Sequence, residues 1–284
     1  MTDRKGTRSY QRNFKIKRRR RREGKTDYKQ RVNMLRQDVN KFGAMKSRLV
    51  VRITNTKVIC QIIKAHMDGD RVVAQADSTE LKNFGVTFGL TNYFAAYATG
   101  MLCGRRALAA NDLDKQFVTK TDVGAFEETE SPIEERRAYK VFLDIGLARA
   151  TKGAKVFIAM KGASDSGLFI PHSPSKFVGW DGEDLQAEEL ANRIFMKENC
   201  SYMEHLKEND EEKYKLQFGG YVAKKIEPGS IEAIYKNALK KIGAEGAKEE
   251  KKKKVEYSGK KYENKKKISL AERKERVAAR LAEE

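Results

Sequence analysis

Apolar residues between positions 45 and 80 fall into three short runs separated by turn-forming residues. The runs are rich in Val and Ile, as strands typically are, and they occupy residues 50–53, 57–63 and 71–76. Asn55-Thr56 separates the first two runs. Asp68-Gly69 separates the last two, and both of its positions can take positive φ. The pattern predicts a three-stranded antiparallel meander.

Farther along, apolar residues recur three and four positions apart, which predicts a helix over residues 91–110 with Thr91 as its N-cap. Gly100 has no side chain, which lets this helix pack closely on a sheet. Arg105 and Arg106 lie near its C-terminus. There they either complement the helix dipole or reach a phosphate, and the sequence favours neither role.

The alternation of strands and helices continues beyond this helix. A fourth strand is predicted over residues 139–145 and a second helix over residues 155–164. Residues 184–242 are predicted to be helical, with a last helix that begins near Pro228 and ends at Gly243. Helices that accompany a small mixed sheet predict an α/β fold.

The C-terminal part has a different composition. Residues 244–267 are rich in Lys and show no periodicity, which predicts a linker. A short basic helix is predicted over residues 269–281, where Ser269 and Glu272 have the spacing of a capping box. A helix of this length is marginal in water, so we expect it to fold against a partner.

The charge of the chain is concentrated at its two ends. The formal net charge is +19, and residues 1–31 contain 14 Lys or Arg against 3 acidic residues. Residues 248–284 contain 14 basic and 8 acidic residues, so the stretch between the two ends is nearly neutral. A nearly neutral body with two basic ends is typical of a domain anchored to a polyanion.

These patterns predict an α/β fold, with a small mixed-sheet core domain and packed helices, an extended basic N-terminal segment and a helical C-terminal extension. Along the sequence the chain divides into four parts. A basic extension, expected to bind the polyanion, covers residues 1–31, and the α/β core domain covers residues 32–170. A loop and helical region covers residues 171–243. The Lys-rich linker and basic C-terminal helix cover residues 244–284.

A membrane is not the expected polyanion. The longest apolar runs, at 49–51 and 156–160, are far too short to span a bilayer. The first residues lack both the Gly of a myristoylation signal and the apolar segment of a signal peptide. Three scattered cysteines fit a reducing compartment. We therefore expect a soluble, intracellular protein without a membrane partner.

The N-terminal segment is predicted to be disordered or extended until phosphates neutralise it, because its consecutive arginines repel one another. Arg can donate two parallel hydrogen bonds to phosphate oxygens. The predicted phosphate ligands are Arg18, Arg19, Arg20, Arg21, Arg22, Lys25 and Arg31. A nuclear-localisation signal is a second interpretation of the same run, and both interpretations need it exposed.

Aromatic side chains can stack on the unpaired bases of an RNA, and such contacts are an expected source of specificity. The predicted stacking residues are Tyr28, Tyr93, His172 and Trp180. Lys152 and Lys155 flank the start of the second predicted helix, a favourable place for a phosphate. The predicted RNA-binding set also includes loop residues on either side of that helix, namely Arg149, Ser173 and Lys176.

Catalysis is disfavoured by the arrangement of acidic and nucleophilic residues. A metal nuclease needs several carboxylates that converge, and the acids of suitable type do not cluster in sequence. These acids are Asp70, Asp144, Asp165 and Asp181. The chain has no Gly-rich loop followed by Lys-Ser or Lys-Thr, and its three histidines are dispersed. We expect no catalytic residue, no cofactor and no metal.

Five motifs follow one another along the chain with characteristic spacing. They are RRRREGKTDY at 19–28, VRITN at 51–55, GLTNY at 89–93, DIGLAR at 144–149 and IPHS at 170–173. In order and spacing they resemble the eukaryotic large-subunit ribosomal proteins that bind 5S rRNA, the universal large-subunit protein eighteen family. SLAERKERVA at 269–278 also fits this family. The resemblance extends over nearly the whole chain.

The resemblance implies a non-catalytic role, in which the protein binds 5S rRNA and anchors it in the central protuberance of the large subunit. The implied partners are 5S rRNA, large-subunit rRNA, a second 5S-binding ribosomal protein and other large-subunit proteins. The implied location is the cytoplasmic ribosome after transit through the nucleus and nucleolus. The resemblance also places the first hairpin against RNA, through Arg48, Arg52, Asn55 and Lys57. The alternative is a nuclear ribosome-assembly or chromatin-associated RNA-binding factor.

Overall fold

The computed structural model describes residues 6–120, 122–127, 129, 136–245 and 267–283. The chain forms two compact units, residues 1–249 and residues 250–284. The strands are β1 Ser47–Ile53, β2 Val58–His66, β3 Gly69–Asp77 and β4 Val141–Asp144. The helices are α1 Arg8–Asn13, α2 Arg19–Arg22, α3 Tyr28–Leu35, α4 Tyr93–Ala109, α5 Lys155–Asp165, α6 Ala187–Ile194, α7 Lys197–Asn209, α8 Glu211–Val222, α9 Ile231–Glu245 and α10 Leu270–Glu283.

The four strands form one mixed sheet in the order β3-β2-β1-β4. β1 pairs antiparallel with β2, and β2 pairs antiparallel with β3. β4 pairs parallel with β1. The predicted meander, the fourth strand and the α/β class are therefore confirmed.

The second hairpin turns one residue earlier than predicted. His66 pairs with Gly69, so the connecting residues are Met67 and Asp68 rather than Asp68-Gly69. Gly69 keeps a positive φ of 139° and begins β3. The predicted turn between β1 and β2 is confirmed, because Ile53 pairs with Val58 across it.

Helices α4 and α5 pack against each other and against one face of the sheet. A Cβ placed on Gly100 of α4 would lie 1.9 Å from the carbonyl oxygen of Ala159 in α5. A Cβ on Gly162 of α5 would lie 2.0 Å from the carbonyl oxygen of Tyr97. Only residues without a Cβ allow the two backbones to approach this closely, which explains the small residues of the predicted helix.

The α4–α5 interface also contains buried polar side chains. The Tyr97 hydroxyl donates to Asp165 at 2.8 Å, and Lys161 pairs with the same carboxylate. Burial raises the pKa of Asp165, and the Lys161 ammonium opposes that shift. The hydrogen bond from Tyr97 and the ion pair with Lys161 therefore hold the Asp165 carboxylate inside the core.

The ends of α4 differ in detail from the prediction. The side chain of Asn92, not Thr91, caps the helix by accepting from Ala95 N at 2.7 Å. Arg105 is buried and donates to the carbonyl oxygen of Phe117 at 2.7 Å. Arg106 is also buried and pairs with Glu80 at 2.6 Å. Both arginines therefore brace the fold rather than reach toward a phosphate.

The last helix of the first unit, α9, packs on α4 through aromatic rings. The rings of Tyr235 and Phe94 are stacked with centroids 3.7 Å apart. The helix is predicted to begin near Pro228, where a 3-10 turn at Pro228–Ser230 leads into α9. The predicted stop at Gly243 is wrong, because the helix continues to Glu245.

Helix α10 of the second unit begins with the predicted capping box. The Ser269 backbone N–H donates to Glu272 Oε2 at 3.2 Å, and Glu272 N donates to Ser269 Oγ at 3.3 Å. Leu270, Val277 and Leu281 are exposed on this helix. Most of the predicted Lys-rich linker, residues 246–266, lies outside the described residues. No helix in the described part of the chain is long and apolar enough to cross a membrane.

Candidate nucleic-acid interface

The arginine run forms a helical turn, α2, instead of the extended chain predicted for it. Arg19 pairs with Glu23 at 2.8 Å, and Lys25 pairs with the other oxygen of Glu23 at 2.9 Å. Hydrogen bonds from Lys25 and Arg19 hold the pKa of Glu23 below its ordinary value. Arg21 is 3.4 Å from Asp27. These carboxylates offset the repulsion within the run, which accounts for the difference from the prediction.

Helix α3 follows immediately and positions Tyr28. The Asp27 side chain caps α3 by accepting from the backbone N–H groups of Lys29 and Gln30 at 3.2 and 3.3 Å. Tyr28, the first residue of α3, is 40% exposed. Arg20 donates to the Thr26 hydroxyl at 3.2 Å and so ties α2 to the connection that leads into α3.

An open groove of about 690 Å³, the α2–α3 groove, lies along these two helices. It is lined by Lys17, Arg18, Arg21, Asp27, Tyr28, Lys29, Val32, Asn33 and Arg36. Five of these side chains are cationic and one is acidic. The groove thus combines an aromatic ring with clustered positive charge, the combination that binds single-stranded nucleic acid.

The sequence analysis missed three cationic residues of the groove, which are Lys17, Lys29 and Arg36. Lys29, Val32 and Arg36 are spaced three and four residues apart, which is the spacing of one helical face. That spacing would have identified the two cations if a helix had been predicted at Tyr28–Leu35.

The outer face of the sheet carries a chain of alternating charges, which we call the sheet network. Arg31 pairs with Asp70 at 2.7 Å, and Asp70 pairs with Arg48 at 2.6 Å. Arg48 continues to Asp144 at 2.7 Å, and Asp144 pairs with Arg52 at 3.0 Å. Arg31 belongs to α3, so the network fastens the N-terminal segment to the sheet.

Asp144 is the buried centre of this network. Its carboxylate accepts from Gly146 N at 2.8 Å, in addition to the two arginines. Burial raises the pKa of Asp144, but the Arg52 charge and the hydrogen bonds from Gly146, Arg52 and Arg48 outweigh it and hold the pKa below its ordinary value. Asp144 therefore remains ionised and orients both guanidinium groups.

Several predicted RNA-binding residues from distant parts of the sequence converge here. Lys25, Arg31, Arg48 and Arg52 line one pocket of about 170 Å³ between the N-terminal segment and the sheet. Arg48 is buried and both of its terminal nitrogens are bonded to carboxylates. Its guanidinium group is therefore engaged in contacts within the protein. Arg52 is exposed beside it.

The turn between β1 and β2 presents Asn55 in an exposed position. Lys57, at the end of the turn, pairs with Asp77 at 2.8 Å and is half-buried. The Lys57 amide donates to the Thr54 hydroxyl at 3.0 Å, which closes the turn. Asn55 is thus open to a ligand, and Lys57 is partly engaged within the protein.

A second group of predicted residues surrounds the start of α5. Lys152 donates to the carbonyl oxygen of Trp180, and Lys155 donates to the carbonyl oxygen of Thr91 at 2.7 Å. Gly153 N donates to the carbonyl oxygen of Lys176 at 2.9 Å. The bonds of Lys152 and Gly153 hold the loops before and after α5 together, and the bond of Lys155 ties the start of α5 to the segment before α4. Arg149 and Ser173 are exposed on the same two loops.

Three of the four predicted stacking residues are partly buried. His172 packs edge-on against Phe126 and Phe177, with centroids 5.3 and 5.5 Å away, and its Nδ1 lies 2.6 Å from the Ile170 oxygen. Burial raises the pKa of Tyr93 to about 12. Trp180 is half-buried. Tyr28, which is exposed, is the most accessible of the four side chains.

The acids considered for a nuclease are committed to other contacts. Asp70 and Asp144 both pair with Arg48, while Asp165 is bonded within the core. Asp181 accepts from Gln186 on an exposed loop. Among the described residues, no group of three or more His, Cys, Asp or Glu side chains could hold a metal ion.

Comparison with known proteins places this geometry in a family. A family model described as "Ribosomal large subunit proteins 60S L5, and 50S L18" matches residues 12–173. A second, described as "Ribosomal L18 C-terminal region", matches residues 231–283. Together these matches include α2, α3, the sheet, α4, α5, α9 and α10.

Curated relatives agree over almost the full length. The "Large ribosomal subunit protein uL18" of Candida albicans is 46% identical over 284 residues, which cover 98% of this chain and 95% of the relative. The protein of that name from Saccharomyces cerevisiae is 46% identical, over 96% of this chain and 95% of its own length. The protein of that name from Suberites domuncula is 46% identical, over 86% of this chain and 84% of its own length. The chain therefore belongs to the family of ribosomal large subunit proteins 60S L5 and 50S L18, which are structural components of the ribosome and not enzymes.

Proposed function

We propose that this protein binds 5S rRNA and anchors it in the central protuberance of the large ribosomal subunit. The observation that carries the proposal is the convergence of cations from the N-terminal segment and the sheet. The α2–α3 groove adds Arg18, Arg21 and Tyr28 to Lys25, Arg31 and Arg52 of the neighbouring pocket. A surface of this kind suits a folded RNA, which presents closely spaced phosphates and unpaired bases.

Affinity and specificity have separate sources in this proposal. Affinity comes from phosphate contacts of the N-terminal arginines along α2 and just before it, which are exposed except for the half-buried Arg21. Specificity comes from the shape of the RNA and from unstacked bases, because the major groove of an A-form helix is too narrow to be read. Tyr28 is placed to contact a base, since it lies in the groove among cations.

The loops around the start of α5 supply a second contact region. Arg149, Lys152, Lys155 and Lys176 are exposed there, and hydrogen bonds between the loops fix their backbones. In this proposal the region contacts either 5S rRNA or large-subunit rRNA. Asn55 of the first hairpin belongs to the same set of exposed contacts.

The proposed partners are 5S rRNA, large-subunit rRNA, a second 5S-binding ribosomal protein and other large-subunit proteins. The proposed route runs through the nucleus and nucleolus to the cytoplasmic ribosome. The exposed arginine run supports this route, because a nuclear-import signal needs such a run. Membership of a ribosomal protein family favours this assignment over a separate assembly or chromatin factor.

A filter-binding titration tests the proposal directly. The full chain is titrated against 5S rRNA and against a control RNA of the same length, at one fixed salt concentration. We expect a clear preference for 5S rRNA. Equal affinity for both RNAs would contradict the proposal. Sedimentation at high salt distinguishes the ribosomal protein from the alternative, a nuclear assembly or chromatin factor. Such a factor would be absent from translating polysomes.

A further inference from the structure

The loop of residues 36–46 between α3 and β1, which we call the tip loop, exposes apolar side chains to an unusual extent. Phe42 is 96% exposed, more than any other large aromatic side chain in the described part of the chain. Val39 beside it is 91% exposed, and Met45 is also exposed. A single exposed apolar side chain needs no explanation, but a group of them at one loop indicates a contact surface.

The tip loop is held in shape by internal hydrogen bonds. Gln37 Nε2 donates to the Ala44 oxygen at 2.9 Å, across the base of the loop. Within the loop, Phe42 N donates to the Val39 oxygen at 3.1 Å. A second hydrogen bond across the base of the loop runs from Lys46 Nζ to the Arg36 carbonyl oxygen, at 2.5 Å. The ring of Phe42 is therefore presented on a braced loop.

The backbone at Phe42 is strained. Its φ of 47° and ψ of 41° lie in the left-handed region, which a bulky side chain rarely adopts. Gly43 follows with a φ of 72°, so the chain turns sharply at this point. Strained residues persist where the surrounding structure holds them, and they cluster at functional sites. Here the strained residue also carries the exposed ring.

The charges around the tip loop match a polyanion. Arg36, Lys41 and Lys46 lie within the loop, and Asp38, its one acid, pairs with Lys41 at 2.9 Å. Arg36 also lines the α2–α3 groove, so the tip loop continues the cationic surface there. An apolar protein surface would suit Phe42 and Val39 but would have to cover these cations. RNA satisfies both the ring and the charges.

We propose that Phe42 stacks on an unpaired base of the bound RNA, next to phosphates held by Arg36 and Lys46. This inference rests on the proposed function and adds a contact that the sequence motifs do not include. The ligand is an unpaired nucleotide in a loop or bulge, because paired bases are stacked within the duplex and closed to the ring. Every base has a π-face, so the contact strengthens binding without choosing a base.

The first test measures the affinity of Phe42→Ala and Phe42→Trp for 5S rRNA by filter binding. Loss of one stacked base weakens binding about tenfold or more, and the Trp variant retains affinity. The salt dependence of Phe42→Ala stays that of the wild type, because a ring releases no counterions. Met67→Ala is the matched control, since Met67 is fully exposed at the β2–β3 turn. It leaves the affinity unchanged.

A second measurement reports the stacking itself. The wild-type chain has one Trp, Trp180, so the additional emission of Phe42→Trp comes from residue 42. That additional emission is quenched when 5S rRNA is added, because a base covers the indole. Unchanged emission at saturating RNA, or wild-type affinity of Phe42→Ala, would overturn the inference. Failure of the wild type itself to prefer 5S rRNA would instead overturn the proposed function.

Discussion

Single carboxylates decide how the cations of the sheet network are presented. Asp144 and Asp70 lie on a surface that we propose to bind a polyanion, where a negative charge would ordinarily weaken binding. Each is bonded to two arginines. They therefore act as positioning residues, because they fix the side chains of Arg31 and Arg52 before RNA arrives. Prepositioned side chains lose less freedom on binding, which increases affinity.

Replacing Asp144 by Asn tests this role through the sign of its effect. The substitution removes a negative charge, so simple electrostatics predicts stronger RNA binding. We expect weaker binding, because Arg52 and Arg48 lose their common partner. We also expect a loss of about 3 kcal/mol in the free energy of unfolding, as when a buried ion pair loses one member. Filter binding and urea unfolding measure the two effects. Tighter binding by Asp144→Asn would contradict the positioning role.

The same residue gives a pH-dependent stability. The pKa of Asp144 is held below its ordinary value, so its ion pairs stabilise the fold above the unfolded pKa of about 3.9. That contribution is lost as the pH falls through the folded pKa. The difference in unfolding free energy between wild type and Asp144→Asn is therefore greatest at neutral pH and smaller at pH 3. A difference that stays constant over this range would show that the carboxylate charge is not involved.

Among the secondary-structure elements, α4 and α5 depend on each other through their glycines. Their backbones approach so closely that each helix fills the space of a missing Cβ on the other. The buried Tyr97–Asp165 hydrogen bond adds a directional contact to this apolar packing. The interface therefore fixes the register of α5, and with it the loops that present Lys152 and Lys176.

The substitution Gly162→Ala measures this packing. Its Cβ would lie 2.0 Å from the carbonyl oxygen of Tyr97, so we expect a loss of about 1–3 kcal/mol or more in unfolding free energy. Gly220→Ala in α8 is the control, since nothing lies within 4 Å of a Cβ there. We expect the control to gain roughly 0.5–1 kcal/mol from helix propensity. Similar effects of both substitutions on urea unfolding would rule out close packing as the cause.

The N-terminal helices form the element on which RNA affinity depends most. Deletion of residues 1–24 removes α1, α2 and part of the α2–α3 groove but leaves the sheet and α3. We expect it to weaken 5S rRNA binding more than any single substitution in the core domain. Replacing the five arginines at 18–22 by Lys keeps their charge but removes their bidentate hydrogen bonding. Comparing this variant with the deletion therefore separates the contribution of charge from that of bidentate geometry. Equal affinity with and without the segment would show that the binding energy lies elsewhere.

At the scale of the whole molecule, a nearly neutral α/β body carries strongly basic ends. The body supplies a rigid sheet against which the N-terminal cations are tethered, through Arg31 and Asp70. Fold and charge thus have separate roles in the proposed function. The sheet fixes the shape of the surface, and the extension supplies most of its charge.

This division predicts a steep salt dependence. If the protein neutralises about 10 phosphates, the logarithm of the 5S rRNA affinity falls with the logarithm of salt concentration at a slope of roughly −7 to −9. The chain lacking residues 1–24 should show a clearly shallower slope. Titrations at several salt concentrations measure both values. A slope near zero for the full chain would mean that the basic ends do not contact phosphates.

The sequence by itself determined the local features of this protein. Strand runs of Val and Ile, the helical periodicity of α4 and α5, the capping box at Ser269 and the charge of the termini follow from neighbouring residues. Five ordered motifs indicated the family, which the comparisons confirm. Local patterns suffice for these features because capping, periodicity and charge repulsion act over a few residues.

The tertiary structure alone decided which distant residues meet. The parallel pairing of β4 with β1 sets Asp144 beside Val50, and the network from Arg31 to Arg52 follows from that register. It also decided that Arg48 and His172 are drawn into internal contacts while Phe42 is left exposed. The physical reason is that burial and ion pairing depend on packing between elements far apart in the chain, and no local pattern records that packing.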